Sequence, residues 1–382
     1  METSRTFEVK RPFGSVMIRD FTCEDGPRGG DSRVARTDDS YPKSVPMPIF
    51  HRWSGEGDVA RAIFSKPTGP TDDSDLADRP EVERSTGYIV IPHVVITKGL
   101  VWHYTDPAGA AGILTAGEIW ASSVLVLNDA QELEYGLKVI ANVVEDAISS
   151  ACLRWRKYLE DLKKAIQIYL PKGGSFVACA SLVEDSLSQW RSYGGQGAGY
   201  ALALDVGESL AVVGRGENAY TGAIRRSVST SGWMPVLYDP DEQRSHANEM
   251  LAYALVLIDS GSSAEDFVPE FIKAALCMKH PAFRDEREAR YVVTSDVDWV
   301  TRFRGGPFGV TPYLGLTNVP ASGQSLYVEE VVSTPSRVPL AAIRVAPGPS
   351  SGAAQAGVEH LLRASGQGSV PVLTDSSPIR WS

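Results

Sequence analysis

The sequence predicts an α+β protein in which helices are inserted into a core of short strands, with an extended arm in front. Three observations point there. Short apolar runs alternate with helix-period stripes from Leu100 onward, and glycines and prolines punctuate the boundaries between them. The first 97 residues follow neither pattern.

Residues 1–97 carry 13 basic and 16 acidic side chains, and nine prolines interrupt almost every candidate helix. Runs at 16–18 and 88–91 have strand character, while 67–84 reads as loop. This stretch is expected to be an accessory arm for partner contact or self-association. Residues 98–382 are then a catalytic-type core, closing on a C-terminal strand–helix–strand extension.

Within the core, Leu100–Thr105 reads as a strand. Asp106-Pro107 supplies an N-cap and a proline at the first helical position, so 108–116 is a helix that Gly117 closes. A strand over 118–123 follows. Asp129 and Glu132 then form a capping box for a long amphipathic stretch whose apolar stripe runs to Tyr169, with a bend near Ser149-Ser150. Ser175–Ser181 and 199–205 are strands flanking a short helix over 185–193. Helices are expected over 245–259 and 264–278, and a strand over 286–294. The tail gives a strand (Leu340–Val345), a Pro/Gly loop, a helix (353–364) and a strand (370–373).

Composition excludes several classes. A formal charge of -10 gives no net field for a sequence-blind nucleic-acid coat. The four cysteines lie at 23, 152, 179 and 277, with no C-x-x-C pair, which argues against a structural zinc site and fits a reducing compartment. No metal site is expected. The start has no secretory pattern and no run of 18 apolar residues occurs, so a cytoplasmic protein without a membrane span is expected.

Three clusters carry chemistry. Trp102-His103-Tyr104-Thr105 ends a strand just before a capped helix, where ligand-facing groups collect. The segment 185–195 packs Ser188, Gln189, Trp190, Arg191 and Tyr193 before a glycine turn. Its rings suit stacking and its arginine suits phosphate, although Trp190 serves equally well as a core anchor. The glycines after it precede a strand, not a helix, which excludes a dinucleotide fingerprint. Glu286, Glu288 and Arg290 share one strand face, either as an acid/base group or as a charge-paired edge.

These clusters, with Gly112-Ile113-Leu114, Leu127-Asn128-Asp129, Gly199-Tyr200 and Lys279-His280, resemble the bacterial domain of unknown function 2971 family from about Leu100 to Arg380. A weaker resemblance is to the ADP-ribosyltransferase superfamily, carried by the strand-borne His-Tyr-Thr, the short helix ending at glycine and the late Glu opening a strand. It implies a split mixed β-sheet core with helical insertions, and NAD as substrate. His103, Tyr104 and Thr105 would bind NAD together with Ser188, Gln189, Trp190, Arg191, Tyr193 and Arg290. His103 would hold a ribose, an aromatic would stack on nicotinamide, Glu288 would stabilise the ribosyl cation and Glu286 would position an acceptor. The expected function is an NAD-consuming transferase or glycohydrolase acting as a toxin or anti-phage effector, on a protein or nucleic-acid acceptor. Two rivals stand beside it: a nucleic-acid hydrolase using Arg191 and the Glu286/Glu288 pair, and a non-enzymatic nucleotide- or partner-binding module.

Overall fold

A computed structural model describes residues 8–10, 93–126, 130–169, 174–195, 198–214, 228–259, 261–295, 301–306, 309–319, 331–332 and 335–374. The expected strands at 16–18 and 88–91 and the loop at 67–84 lie outside these residues, as does Asp129 of the expected capping box. A strand β1 (Glu8–Lys10) pairs antiparallel with β2 (Val95–Lys98). Core packing reaches upstream of residue 98, since Ile96 and His93 are buried and His93 Nε2 lies 2.6 Å from Glu270 Oε2.

The main body is one large mixed sheet with helices on both faces, so the α+β class holds. After β3 (Leu100–Thr105) comes α1 (Pro107–Ala116). Asp106 Oδ1 accepts from Gly109 N at 2.7 Å, and Gly117 closes the helix at φ 71°. Then follow β4 (Ile119–Ser123), α2 (Ala130–Ser150) and α3 (Leu153–Tyr169). The expected bend is a full break, with Ala151 and Cys152 between the two helices. Next are β5 (Ser175–Ser181), α4 (Leu187–Tyr193) and β6 (Tyr200–Asp205). The later elements are β7 (Leu210–Val213), β8 (Val228–Pro235), α5 (Pro240–Asp259), α6 (Val268–Leu276) and β9 (Glu288–Ser295). The chain continues through β10 (Arg302–Gly306), β11 (Gly309–Asn318), β12 (Val331–Val332), β13 (Leu340–Val345), α7 (Ser351–Ala364) and β14 (Val372–Thr374). The residues around Arg302, outside the family resemblance, therefore form a hairpin on the same sheet.

Strand order runs β12-β7-β11-β4-β5-β3-β6-β13-β14, with β9 on the other edge of β5 and β8 beyond it. β5 is the junction. Its one edge pairs with β9 over its whole length, while the opposite edge is shared: β4 takes Phe176 and Val177, and β3 takes only Ser181. The sheet therefore splits between β3 and β4, and Cys179 sits in the gap.

Alternation along the strands sorts side chains onto two faces. Phe176, Ala178, Ala289, Tyr291 and Val293 pack under α1 and α7. Val177, Met234 and Val292 pack under α2, α3, α5 and α6, while Trp102 and Tyr104 pack with Trp190 of α4. Cys179, Ser181, Glu288 and Arg290 share this second face by register.

Gly117 tests the local reading. A Cβ there would stand 2.7 Å from the Ser336 carbonyl oxygen, in a left-handed conformation. Gly117→Ala is expected to cost about 1–2 kcal/mol, read as a lower melting temperature, because strain and contact add. An unchanged melting temperature would show that the turn relaxes freely.

Candidate functional site

Glu288 opens β9 directly after a tight 3₁₀ turn (Pro281–Glu286). Arg287 makes the transition at φ 44°, the one left-handed non-glycine among the described residues. Such a conformation costs free energy and fixes the direction in which the strand leaves. The Glu288 carboxylate is clamped by Arg290, with Nε donating to Oε1 at 2.9 Å and Nη2 to Oε2 at 2.8 Å. Arg290 Nη1 also donates to the Leu276 carbonyl at 2.6 Å, which ties β9 to the end of α6. Two residues apart on a strand share a face, so the clamp follows from local geometry.

Lys279 joins the second carboxylate to the first. Its Nζ lies 2.5 Å from Glu286 Oε2 and 3.4 Å from Glu288 Oε2, and 4.9 Å from the centroid of the Phe283 ring. The two glutamates do not share a strand face as expected, because Glu286 ends the 3₁₀ turn and β9 begins only at Glu288. The ammonium of Lys279 stands between the two carboxylates, where a paired-carboxylate nuclease would hold its divalent ion.

Burial opposes ionisation of Glu288. The Arg290 charge and its hydrogen bonds, then Lys279 and the Cys179 thiol, overcome this and hold the carboxyl below its ordinary range. Tyr193, at the end of α4, reaches the same cluster. Half of the residue is exposed, but its hydroxyl end is desolvated and faces Cys179, Glu288 and Glu286, and its pKa is pushed up to about 12.

His103 reaches the cluster from the other side of Cys179. At the split, the Cys179 carbonyl lies between the β3 and β4 pairings, and His103 Nδ1 sits 2.8 Å from it. A carbonyl only accepts, so Nδ1 carries the proton and Nε2 presents a lone pair. Burial lowers the imidazole pKa against the opposing effect of that hydrogen bond, which favours the neutral ring. By alternation from Trp102, which pairs with Ser181, the His103 side chain leaves β3 on the face opposite Glu288. The two residues therefore meet across Cys179 instead of standing side by side.

Other candidates from the sequence have different duties. Tyr104 is buried; its hydroxyl donates to the Val183 carbonyl at 2.9 Å and accepts from Ser186 N at 3.0 Å. Trp190 is fully buried, with its ring 4.6 Å from Tyr104 and its Nε1 donating to Asp185 Oδ1 at 2.6 Å. Neither presents a ring to a ligand: together they anchor α4 to the sheet. Arg290 is committed to Glu288 and is a positioning residue. Thr105 packs over the first turn of α1, where a Cβ on Gly109 would meet its hydroxyl. Ser188 Oγ pairs with Ser186 Oγ at 2.9 Å, Gln189 is half-buried beside it, and Arg191 is exposed. The sequence reading assigns no site role to Cys179, to Lys279, named there only within a family motif, or to Tyr238, whose hydroxyl accepts from Glu288 N at 3.0 Å. Of these, Lys279 alone had a signal, as a basic residue just ahead of the acidic pair.

Cysteine usage fits a reducing compartment only in part: Cys152 is disulfide-bonded, while Cys179 and Cys277 form no disulfide. No helix among the described residues is long and apolar enough to cross a membrane.

The fold and the cluster define a mixed α/β protein with an ionised, internally neutralised carboxylate centre beside a split in its sheet. Residues 189–291 match the model of a family described as a protein of unknown function (DUF2971). That segment runs from α4 to β9, so it contains Tyr193, Lys279, Glu286, Glu288 and Arg290 but not His103. It is narrower than the stretch from Leu100 to Arg380 that the sequence motifs suggested. No curated protein and no solved structure matches the chain.

Two outcomes follow. Glu288 contributes stability that is fully present above the ordinary carboxylate range and lost as pH falls through its depressed folded value. Glu288→Gln should cost about 3–5 kcal/mol at neutral pH, because the buried Arg290 loses its carboxylate and Lys279 keeps only Glu286. It should also flatten the decline of melting temperature below about pH 4.5. A parent-like acid profile in the variant would contradict the ion network. Trp190→Ala should cost about 3–5 kcal/mol in denaturant melts, and a loss under about 1 kcal/mol would remove Trp190 from its anchoring role.

Proposed function

We propose that the protein is an NAD-consuming enzyme of the ADP-ribosyltransferase type, transferring ADP-ribose to an acceptor or to water, with the Glu288 cluster as its reacting centre. The observation that carries this reading is the ionised Glu288 carboxylate, held rigidly by Arg290 beside the split of the sheet, with Tyr193 turned towards it. A preorganised carboxylate costs no reorganisation when positive charge develops beside it.

The residues present fit such a substrate. On the face of Glu288 the half-exposed Tyr193 ring offers a surface for a planar base, while His103 Nε2 offers an acceptor only from the opposite side of the split. Glu288 would face the ribose bonded to nicotinamide and accept a hydrogen bond from its hydroxyl. When bound, NAD supplies a cationic leaving group that departs neutral: the bond from ribose to the nicotinamide nitrogen breaks with its electron pair going to the ring, and an acceptor oxygen takes its place on the ribose. Glu286, more open than Glu288 at 32% against 11% side-chain exposure, stands where an acceptor proton could be received. A role as a toxin or anti-phage effector would follow from NAD loss in the host cell.

The test is release of free nicotinamide from NAD by the full chain, with and without protein and RNA acceptors. Glu288→Gln, assayed well below its own melting temperature, should lose about 10²–10³ of the rate. Glu286→Gln should spare hydrolysis while reducing transfer. If the parent releases no nicotinamide with any acceptor, or Glu288→Gln keeps the parental rate, this function is wrong and a binding module is the better reading.

A further inference from the structure

We propose that Arg304, Trp120 and Tyr313 form a second binding site, for a nucleotide unit: a phosphate on the guanidinium beside a base against the rings. The proposal does not rest on the Glu288 chemistry.

Charge bookkeeping singles out Arg304. Among the described residues, Lys163, Lys273, Lys279, Arg290, Arg302 and Arg344 are the other cationic side chains that are not exposed, and each has a carboxylate within 4.0 Å. Arg304, also half-buried, has no carboxylate among them. Its Nη2 donates to Ser122 Oγ at 3.0 Å, and its Nε is buried without a partner. The contrast with Arg302 is local. Both lie on β10 and point to the same side, but Glu118 neutralises Arg302 through both carboxylate oxygens. A partly desolvated guanidinium without a carboxylate is costly, and among the described residues every other unexposed cation avoids that cost.

The surroundings specify the anion. The Arg304 guanidinium carbon lies 5.2 Å from the centroid of the Trp120 ring, and Trp120 lies 5.3 Å from Tyr313 at an interplanar angle of 50°. Both rings are half-buried, and neither the indole N–H nor the phenol is bonded to a described residue. The site thus offers a fork of donors suited to phosphate, two further donors and two aromatic surfaces. Its nearby acceptors, Ser122 and Glu118, are already engaged. Arginine beside partly exposed aromatic rings is the chemistry that holds a phosphate next to a base. By register, Tyr313, Ser122 and Val177 share a face with Cys179 and Glu288, so the site opens on the same side of the sheet.

A free nucleotide and a single-stranded nucleic acid present the same chemistry, and the experiment separates them. The full-length chain is titrated with a 5′-fluorescein-labelled single-stranded RNA octamer, read by fluorescence anisotropy, and with AMP as competitor. We expect saturable binding that weakens about tenfold or more in Arg304→Ala, as for loss of a charged hydrogen bond. Arg304→Lys should restore part of it, since charge returns without the planar fork. Arg337→Ala, an exposed arginine at Gly366, should bind like the parent. Full competition by AMP assigns the site to a single nucleotide, and failure of AMP to compete assigns it to a strand. Absence of saturable binding to both probes would overturn the proposal, as would parental affinity in Arg304→Ala with an unchanged melting temperature.

Discussion

A strand has two edges, and each position on an edge can hydrogen-bond to one neighbour. β5 gives one edge wholly to β9 and divides the other between β4 and β3, whose first contacts on it are separated by several residues. The Cys179 carbonyl falls in that gap. An unmet buried carbonyl costs about 1–3 kcal/mol, so a side-chain donor is needed there. His103 supplies it from β3. That bond fixes the His103 tautomer and leaves the lone pair on Nε2.

On the far side of Cys179 the constraint is electrostatic. Glu288, Glu286, Lys279 and Arg290 sum to zero charge, which allows the group to be largely buried without a counter-ion. The arrangement is hierarchical. Arg290 is fixed by the α6 carbonyl, it fixes Glu288, and Lys279 couples Glu288 to the more open Glu286. A second buried network repeats the pattern beneath β8: Glu270 receives Lys273 at 2.8 Å and His93 at 2.6 Å. That network ties the beginning of the core to α6, the same helix whose last carbonyl holds Arg290.

Much of this fold was legible in the sequence where local chemistry decides the outcome. Asp106-Pro107 and Gly117 bracket α1 as their side chains require, and Leu100–Thr105, Ser175–Ser181 and Leu340–Val345 fall where their apolar runs lie. β7, β8, β10 and β11 were not legible. β11 contains Pro312 and Gly315, and β8 contains Gly232 at φ 72°, so their propensities argue against the strands that register imposes. The site divides in the same way. The Glu288–Arg290 clamp is a two-residue spacing and could be read directly. The meeting of His103 with Cys179 depends on which strand pairs with which, and spacing does not encode that. Trp190 and Tyr104 illustrate the reverse error: aromatic, polar-tipped residues in a motif look like ligand groups, but their tips satisfy backbone and Asp185 partners inside the fold.

The most direct measurement is a crystal structure of the full chain with a non-cleavable carbocyclic NAD analogue. The account predicts the analogue beside the split, with a hydroxyl of its nicotinamide-side ring about 2.6–3.0 Å from a Glu288 carboxylate oxygen. An analogue bound away from Glu288, or none bound at saturating concentration in crystals that admit it, would contradict the claim that this carboxylate is the reacting centre.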